Sequence, residues 1–283
     1  MPFLASRDGA TLHYAEAGAG PPLVLLHGWA MSGRVWRFQA EEFNVGYRVI
    51  TPDLRGHGAS PEPGAGFGLA ELAADLVALF ARLDLQQVTL VGWSLGAQVA
   101  LAAFPALRGR LAGLALVAGT PRFTATAGYP HGLDPQEVRG LGLRLRRDFD
   151  RTMGEFFRGM FAPDELSREQ ENRIAREIIM GGRLPVPAVA RQALAVLGEA
   201  DLRDVLAGID RPVLLVHGTA DGICLPGAAT FMAERIPAAR LRLIAGLGHA
   251  PFLSRPAEFN TMLKEFLQEV YGRNWSHPGP ACL

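Results

Sequence analysis

The chain has 283 residues, and its 28 Lys and Arg balance 28 Asp and Glu, for a formal net charge of zero. That balance argues against a dedicated nucleic-acid binder, whose phosphate contacts call for an excess of positive charge. With 49% hydrophobic and 20% charged residues the chain has ample material for a core and does not compose like a disordered one.

In chain order, residues 3–16, broken by Arg7-Asp8-Gly9, read as a hairpin at a sheet edge. Short apolar runs follow at 23–26, 47–50, 88–91, 114–117, 213–216 and 241–244. Most are near-continuous, the pattern of strands covered on both faces. Helix-like stretches lie between them at 69–83, 95–107, 228–236 and 256–271. This alternation predicts an α/β domain, a mostly parallel twisted sheet with helices on both faces. The alternation stops between residues 121 and 206, which carry helical patterns and no strand. They read as a helical lid inserted into a core of residues 1–120 and 207–271. Asp134-Pro135-Gln136-Glu137 opens one lid helix, with an Asp cap, Pro at the first position and Glu three residues after the cap. Residues 272–283, with Gly, Pro, Ser and Asn, read as a flexible tail.

Gly92-Trp93-Ser94-Leu95-Gly96 sits between the strand at 88–91 and the helix at 95–107. A Gly-x-Ser-x-Gly sequence in that context forms a sharp strand-to-helix turn that lifts the serine hydroxyl clear of the sheet. The N–H groups of the following helix favour negative charge developing there. Serine needs a base to take its proton. Of seven histidines, His249 follows the strand at 241–244, where α/β sheets place their sites. Asp221 lies in a loop after the strand at 213–216, so Ser94, Asp221 and His249 occur in the order of an α/β-hydrolase triad. Main-chain N–H groups of Trp29 and Leu95 are the candidate oxyanion donors. His27, and His57 and Arg55 in Asp53-Leu-Arg-Gly-His-Gly-Ala-Ser60, read as braces of their loops rather than proton carriers. Cys224 reads as small apolar packing rather than a second nucleophile.

These residues resemble the α/β-hydrolase superfamily over essentially the whole chain. More narrowly, His27-Gly-Trp29, Gly92-Trp-Ser-Leu-Gly96, Asp221-Gly222 and the run from His249-Ala-Pro-Phe252 to Phe259 resemble the pimeloyl-[acyl-carrier protein] methyl ester esterases of biotin synthesis. The resemblance implies cleavage of a methyl ester from pimeloyl held on acyl carrier protein. It also implies a Ser94, Asp221, His249 triad and oxyanion donors at Trp29 and Leu95. No metal or other cofactor is expected. Trp29, Met31, Trp93, Phe123, Phe149 and Phe156 are candidates for substrate binding.

In the lid, residues 143–161 treated as one helix place Arg144, Arg147, Arg151 and Arg158 within about 60° of arc. Leu145, Phe149, Met153, Phe156, Phe157 and Met160 fall on the opposite side. An apolar face over Ser94 with an outward Arg stripe suits an acidic carrier and its phosphopantetheine arm. The competing reading is a salt-bridged solvent face, since Asp148 and Glu155 follow Arg144 and Arg151 at four-residue spacing. Arg151-Thr152, Phe156 and, more loosely, Arg168 match the esterase family, whereas Glu155 stands where that family tends to have another Arg. Arg144, Arg147, Arg151, Arg158 and Arg168 are therefore the candidate docking residues.

Two cysteines make no disulfide framework, no basic and apolar leader opens the chain, and no run approaches the ~20 apolar residues of a membrane span. A cytoplasmic protein that contacts neither membrane nor nucleic acid is expected. The alternatives are a general short-chain carboxylesterase or C–C bond hydrolase acting on small substrates, and a non-catalytic small-molecule binder of the same fold.

Overall fold

The structure, a computed structural model, describes residues 2–6, 8–64, 66–179 and 182–272. The expected tail beyond Gly272, with His277 and Cys282, lies outside the described residues, as does Arg7 of the hairpin turn. Eight strands form one sheet: β1 (Phe3–Ala5), β2 (Thr11–Ala17), β3 (Pro22–Leu26), β4 (Arg48–Pro52), β5 (Val88–Trp93), β6 (Leu111–Val117), β7 (Val213–Gly218) and β8 (Ala239–Ile244). Their order is β1-β2-β4-β3-β5-β6-β7-β8, so the N-terminal hairpin lies at one edge. It pairs antiparallel, and every other neighbour in the sheet is parallel.

Strands β3, β5 and β6 are almost wholly buried because helices cover both faces. Helices α2 (Leu69–Arg82) and α3 (Leu95–Leu107) pack on one face, where Leu72, Leu76, Val99 and Phe104 enter a large core cluster. On the other face lie α1 (Arg37–Phe43) and α10 (Pro256–Tyr271), with Trp36, Phe43, Phe259 and Leu263. The chain between β6 and β7 folds as α4 (Pro135–Arg147), α5 (Phe149–Gly159), α6 (Arg168–Ile174) and α7 (Pro187–Glu199). Asp134 caps α4 by accepting the Gln136 N–H, with Pro135 at the first position. Short helices α8 (Pro226–Ala233) and α9 (Pro251–Ser254) complete the core.

One expectation is corrected here. Residues 143–161 are not a single helix. Asp148, at φ −153° and ψ 92°, ends α4 and starts α5, its carboxylate accepting the Arg151 N–H. An extended cap residue cannot continue a helix, so the chain changes direction within the Arg stripe. The two-faced character of the segment survives the break: Leu145, Met153 and Met160 are buried, whereas Arg144, Arg147, Arg151 and Arg158 are exposed.

Candidate active site

Four strands deliver the candidate residues to the C-terminal edge of the sheet. Trp29 follows β3, Ser94 follows β5, Asp221 follows β7 and His249 follows β8. Ser94 adopts φ 56° and ψ −116°, a left-handed conformation rare for a residue with a Cβ. The flanking glycines make the turn possible. A Cβ at Gly92 would lie 2.4 Å from the Gly96 carbonyl oxygen, and one at Gly96 would lie 2.6 Å from that of Leu26. Main-chain N–H groups of Trp29 and Leu95 donate to no protein acceptor among the described residues, so both are free for a ligand.

The Asp221 carboxylate is buried, accepts three hydrogen bonds and has a second imidazole close by. His249 Nδ1 lies 2.8 Å from Oδ2, and His217 Nε2 lies 3.2 Å from the same oxygen. The N–H groups of Ile223 and Cys224 donate to Oδ1 at 2.8 and 3.0 Å. Burial raises the Asp221 pKa, but His249 and His217 outweigh it and hold the carboxyl well below the usual carboxylate range. His217 Nε2 faces only acceptors, Asp221 and the Cys224 carbonyl oxygen at 2.7 Å, so it carries the proton. The same argument puts a proton on His249 Nδ1 and leaves a lone pair on Nε2, which is buried and without a partner. The Ser94 hydroxyl lies within hydrogen-bonding reach of the Cys224 thiol. Burial and the Asp221 charge push that thiol's pKa well above its ordinary value, so Cys224 stays protonated, as its reading as packing requires.

The loop histidines behave as braces. His27 Nε2 accepts the Leu54 N–H at 2.9 Å, joining the loops after β3 and β4. Burial lowers the His27 pKa and pushes that of His57 down to about 3, which keeps both rings neutral. Arg55 is buried and bonded through two nitrogens to Asp75 at 2.6 Å.

The residues expected to bind substrate divide. Trp29 stacks edge-on against Phe156, with centroids 4.6 Å apart, in one apolar cluster with Phe123 and Phe149. Met31 and Trp93 belong to the cluster on the other face of the sheet, which Phe156 also touches. Trp93 is buried and its Nε1–H donates to the His249 carbonyl oxygen at 2.8 Å, so it anchors the histidine. Ser94, Asp221 and His249 are only 5%, 3% and 1% exposed, because α5 and the chain after it close over the sheet edge. A cavity of about 670 Å³ lies apart from them, between α4 and α7, with Val138, Leu143 and Leu194 against Arg139, Arg146 and Arg191.

The candidate docking residues do not form one stripe. Arg144, Arg147 and Arg151 surround a cavity of about 340 Å³ with Asp148 and Glu155, while Arg158 borders another of about 480 Å³. Arg168 is exposed at the first position of α6. Arg151 pairs with Glu155 at 2.9 Å, as the salt-bridged reading expects, but Asp148 spends its carboxylate on capping.

Two residues near the site carry little sequence signal. His217 is detectable through its place at the end of the strand before Asp221 and its four-residue spacing from it. Glu165, in the insertion, has none: its Oε2 accepts the Gly248 N–H at 2.7 Å, beside His249.

A family model described as the alpha/beta hydrolase fold matches residues 21–256, most of the chain. The chain belongs to that family. It is 37% identical over 254 residues to a pimeloyl-[acyl-carrier protein] methyl ester esterase of Nitrosomonas europaea, covering 88% of this chain and 97% of that one. It is also 35% identical to a putative non-heme chloroperoxidase of Synechocystis, covering 95% and 100%. Among solved structures, an esterase from Exiguobacterium antarcticum superposes with a TM-score of 0.87 at 28% identity, over 95% and 99% of the two chains. Membership and these relatives together support hydrolase chemistry. Among the described residues no helix is long and apolar enough to cross a membrane.

Proposed function

We propose that the protein is a serine carboxylester hydrolase whose substrate is the methyl ester of a pimeloyl chain held on acyl carrier protein. The observation that carries the chemistry is the hydrogen-bonded His249–Asp221 pair beside a serine on a strained strand-to-helix turn. The Ser94 hydroxyl has to meet His249 Nε2, which no protein group occupies; such bonds are commonly loose until substrate binds. His249 takes the proton as Ser94 attacks the ester carbonyl, and the Trp29 and Leu95 N–H groups hold the oxyanion. His249 then protonates the departing methoxide. Water, activated by the same imidazole, attacks the acyl-enzyme and releases the acid with Ser94 restored. Asp221 stays ionised, fixing the Nδ1–H tautomer and balancing the imidazolium. This chemistry uses no metal or redox cofactor.

The insertion serves on this reading as a lid. Its inner aromatic residues, Phe123, Phe149 and Phe156 beside Trp29, line the acyl path, and its outer arginines Arg144, Arg147, Arg151, Arg158 and Arg168 meet the acidic carrier. Several relatives named for the pimeloyl ester at 30–37% identity support the substrate, and the exposure of all five arginines is consistent with the docking. The test is growth: the gene should restore a biotin-requiring bacterium lacking its own esterase. Soluble expression without rescue counts against the pimeloyl ester. A general esterase on small substrates is the second reading, favoured by the likeness to the Exiguobacterium esterase.

A further inference from the structure

The insertion reaches the candidate base through one short stretch of chain, residues 160–165. Its Met160 carbonyl oxygen accepts the His249 N–H at 2.7 Å. The Glu165 side chain is buried, and its Oε2 accepts both the Gly248 N–H and the Ala162 N–H at 2.7 Å. Gly248 is where the two segments touch. A Cβ there would lie 2.6 Å from the Met160 oxygen and 2.9 Å from the Ala162 nitrogen, so only glycine admits the insertion this close.

Local geometry holds Glu165 ready for this contact. The Glu165 N–H donates to the Ala162 carbonyl at 3.1 Å, closing a turn with Pro163 second and Asp164 third at φ 61°. Proline second and a left-handed third residue are the type II arrangement, in which Asp is tolerated far less often than Gly. The Glu165 carbonyl oxygen accepts from Arg255 Nη1 at 3.2 Å, adding a tie to the start of α10.

We infer that Glu165 is a positioning residue that couples closure of the insertion to placement of His249. Closure forms the bonds to Gly248 and His249 together, and opening to admit an ester breaks them together. The catalytic imidazole is therefore held on both sides of its main chain only when the site is covered. Trp93 holds the His249 carbonyl from the core in either state, which leaves the N–H side to the insertion. This inference rests on the reading of His249 as the base.

The experiment compares Glu165→Ala, Glu165→Gln and His249→Ala in the full chain, with p-nitrophenyl acetate as the probe and each variant assayed well below its own Tm. Glu165→Ala should lower kcat roughly 10- to 100-fold, the usual cost of a small misplacement of a catalytic group. KM should change much less. Glu165→Gln, whose amide oxygen accepts the same two N–H groups, should recover most of kcat. A Glu165→Ala variant with lower Tm but normal kcat would overturn the inference, as would equal losses in the Gln and Ala variants. Gly248→Ala supplies an independent arm if Glu165→Ala fails to fold: it should lower kcat with Glu165 intact, and normal kcat overturns the inference. Activity retained in His249→Ala would refute the base itself, whereas a dead His249→Ala beside a normal Glu165→Ala refutes the coupling alone.

Discussion

Two imidazoles face one oxygen of Asp221, and they are held differently. His249 donates to it through Nδ1 and keeps a buried Nε2 without a partner, while His217 Nε2 is locked by the Cys224 carbonyl. Replacing Asp221 with Asn removes the anion and offers His249 the wrong tautomer partner, for an expected loss of about 10⁴ in kcat with the fold retained. Replacing His217 with Phe removes one of the influences that depress the Asp221 carboxyl. The Asp221 carboxyl should then titrate at higher pH, followed by the 13C shift of its carboxyl carbon. An unchanged titration would show that His249 and the Ile223 and Cys224 N–H groups suffice. Most of this site is legible in the sequence, because Ser94, Asp221 and His249 each follow a recognisable strand. Trp93 is legible only as a neighbour of Ser94; its bond to the His249 carbonyl joins residues 156 apart, and no local pattern records such a pairing.

At the scale of elements, the core and the insertion differ in how far sequence determines them. Helices α3 and α10 begin and end where periodicity and the flanking Gly and Pro place them, since sheet burial on one side dictates both pattern and length. In the insertion a continuous amphipathic pattern conceals a break, because an Asp inside a periodic run reads as a solvent-facing residue and acts as a double cap. Arg144, Arg147 and Arg151 form one basic group around the α4–α5 junction, and Arg151 is already partly neutralised by Glu155. Reversing Arg147 and Arg151 to Glu should lower turnover of a carrier-linked ester by roughly tenfold or more, leaving p-nitrophenyl acetate turnover nearly unchanged. Equal losses on both substrates would remove the docking surface. Replacing Glu155 with Arg should strengthen carrier binding, read as a lower KM for the carrier-linked ester alone.

For the whole molecule, a net charge of zero coexists with a basic α4–α5 region and a core that shelters neutral histidines. The ordinary histidine pKa is near 6.5, and that of folded His57 is pushed down to about 3 by burial. The unfolded chain therefore binds more protons across that window, so folded stability falls as pH drops from about 6.5 toward 3. His27, depressed by burial in the same way, adds to the trend. Thermal unfolding followed from pH 8 to pH 5 should show Tm falling below about pH 6.5, and a flat Tm over that range would contradict the neutral pair. Burial of Ser94 likewise belongs to the whole molecule, in which it is 5% exposed. The most direct test of the account is mass spectrometry of purified protein mixed with pimeloyl methyl ester on acyl carrier protein. The account predicts loss of the methyl group from the carrier-bound chain, a transient acyl adduct on Ser94, and neither event in Ser94→Ala. A methyl ester that persists while wild-type protein hydrolyses p-nitrophenyl acetate would contradict it.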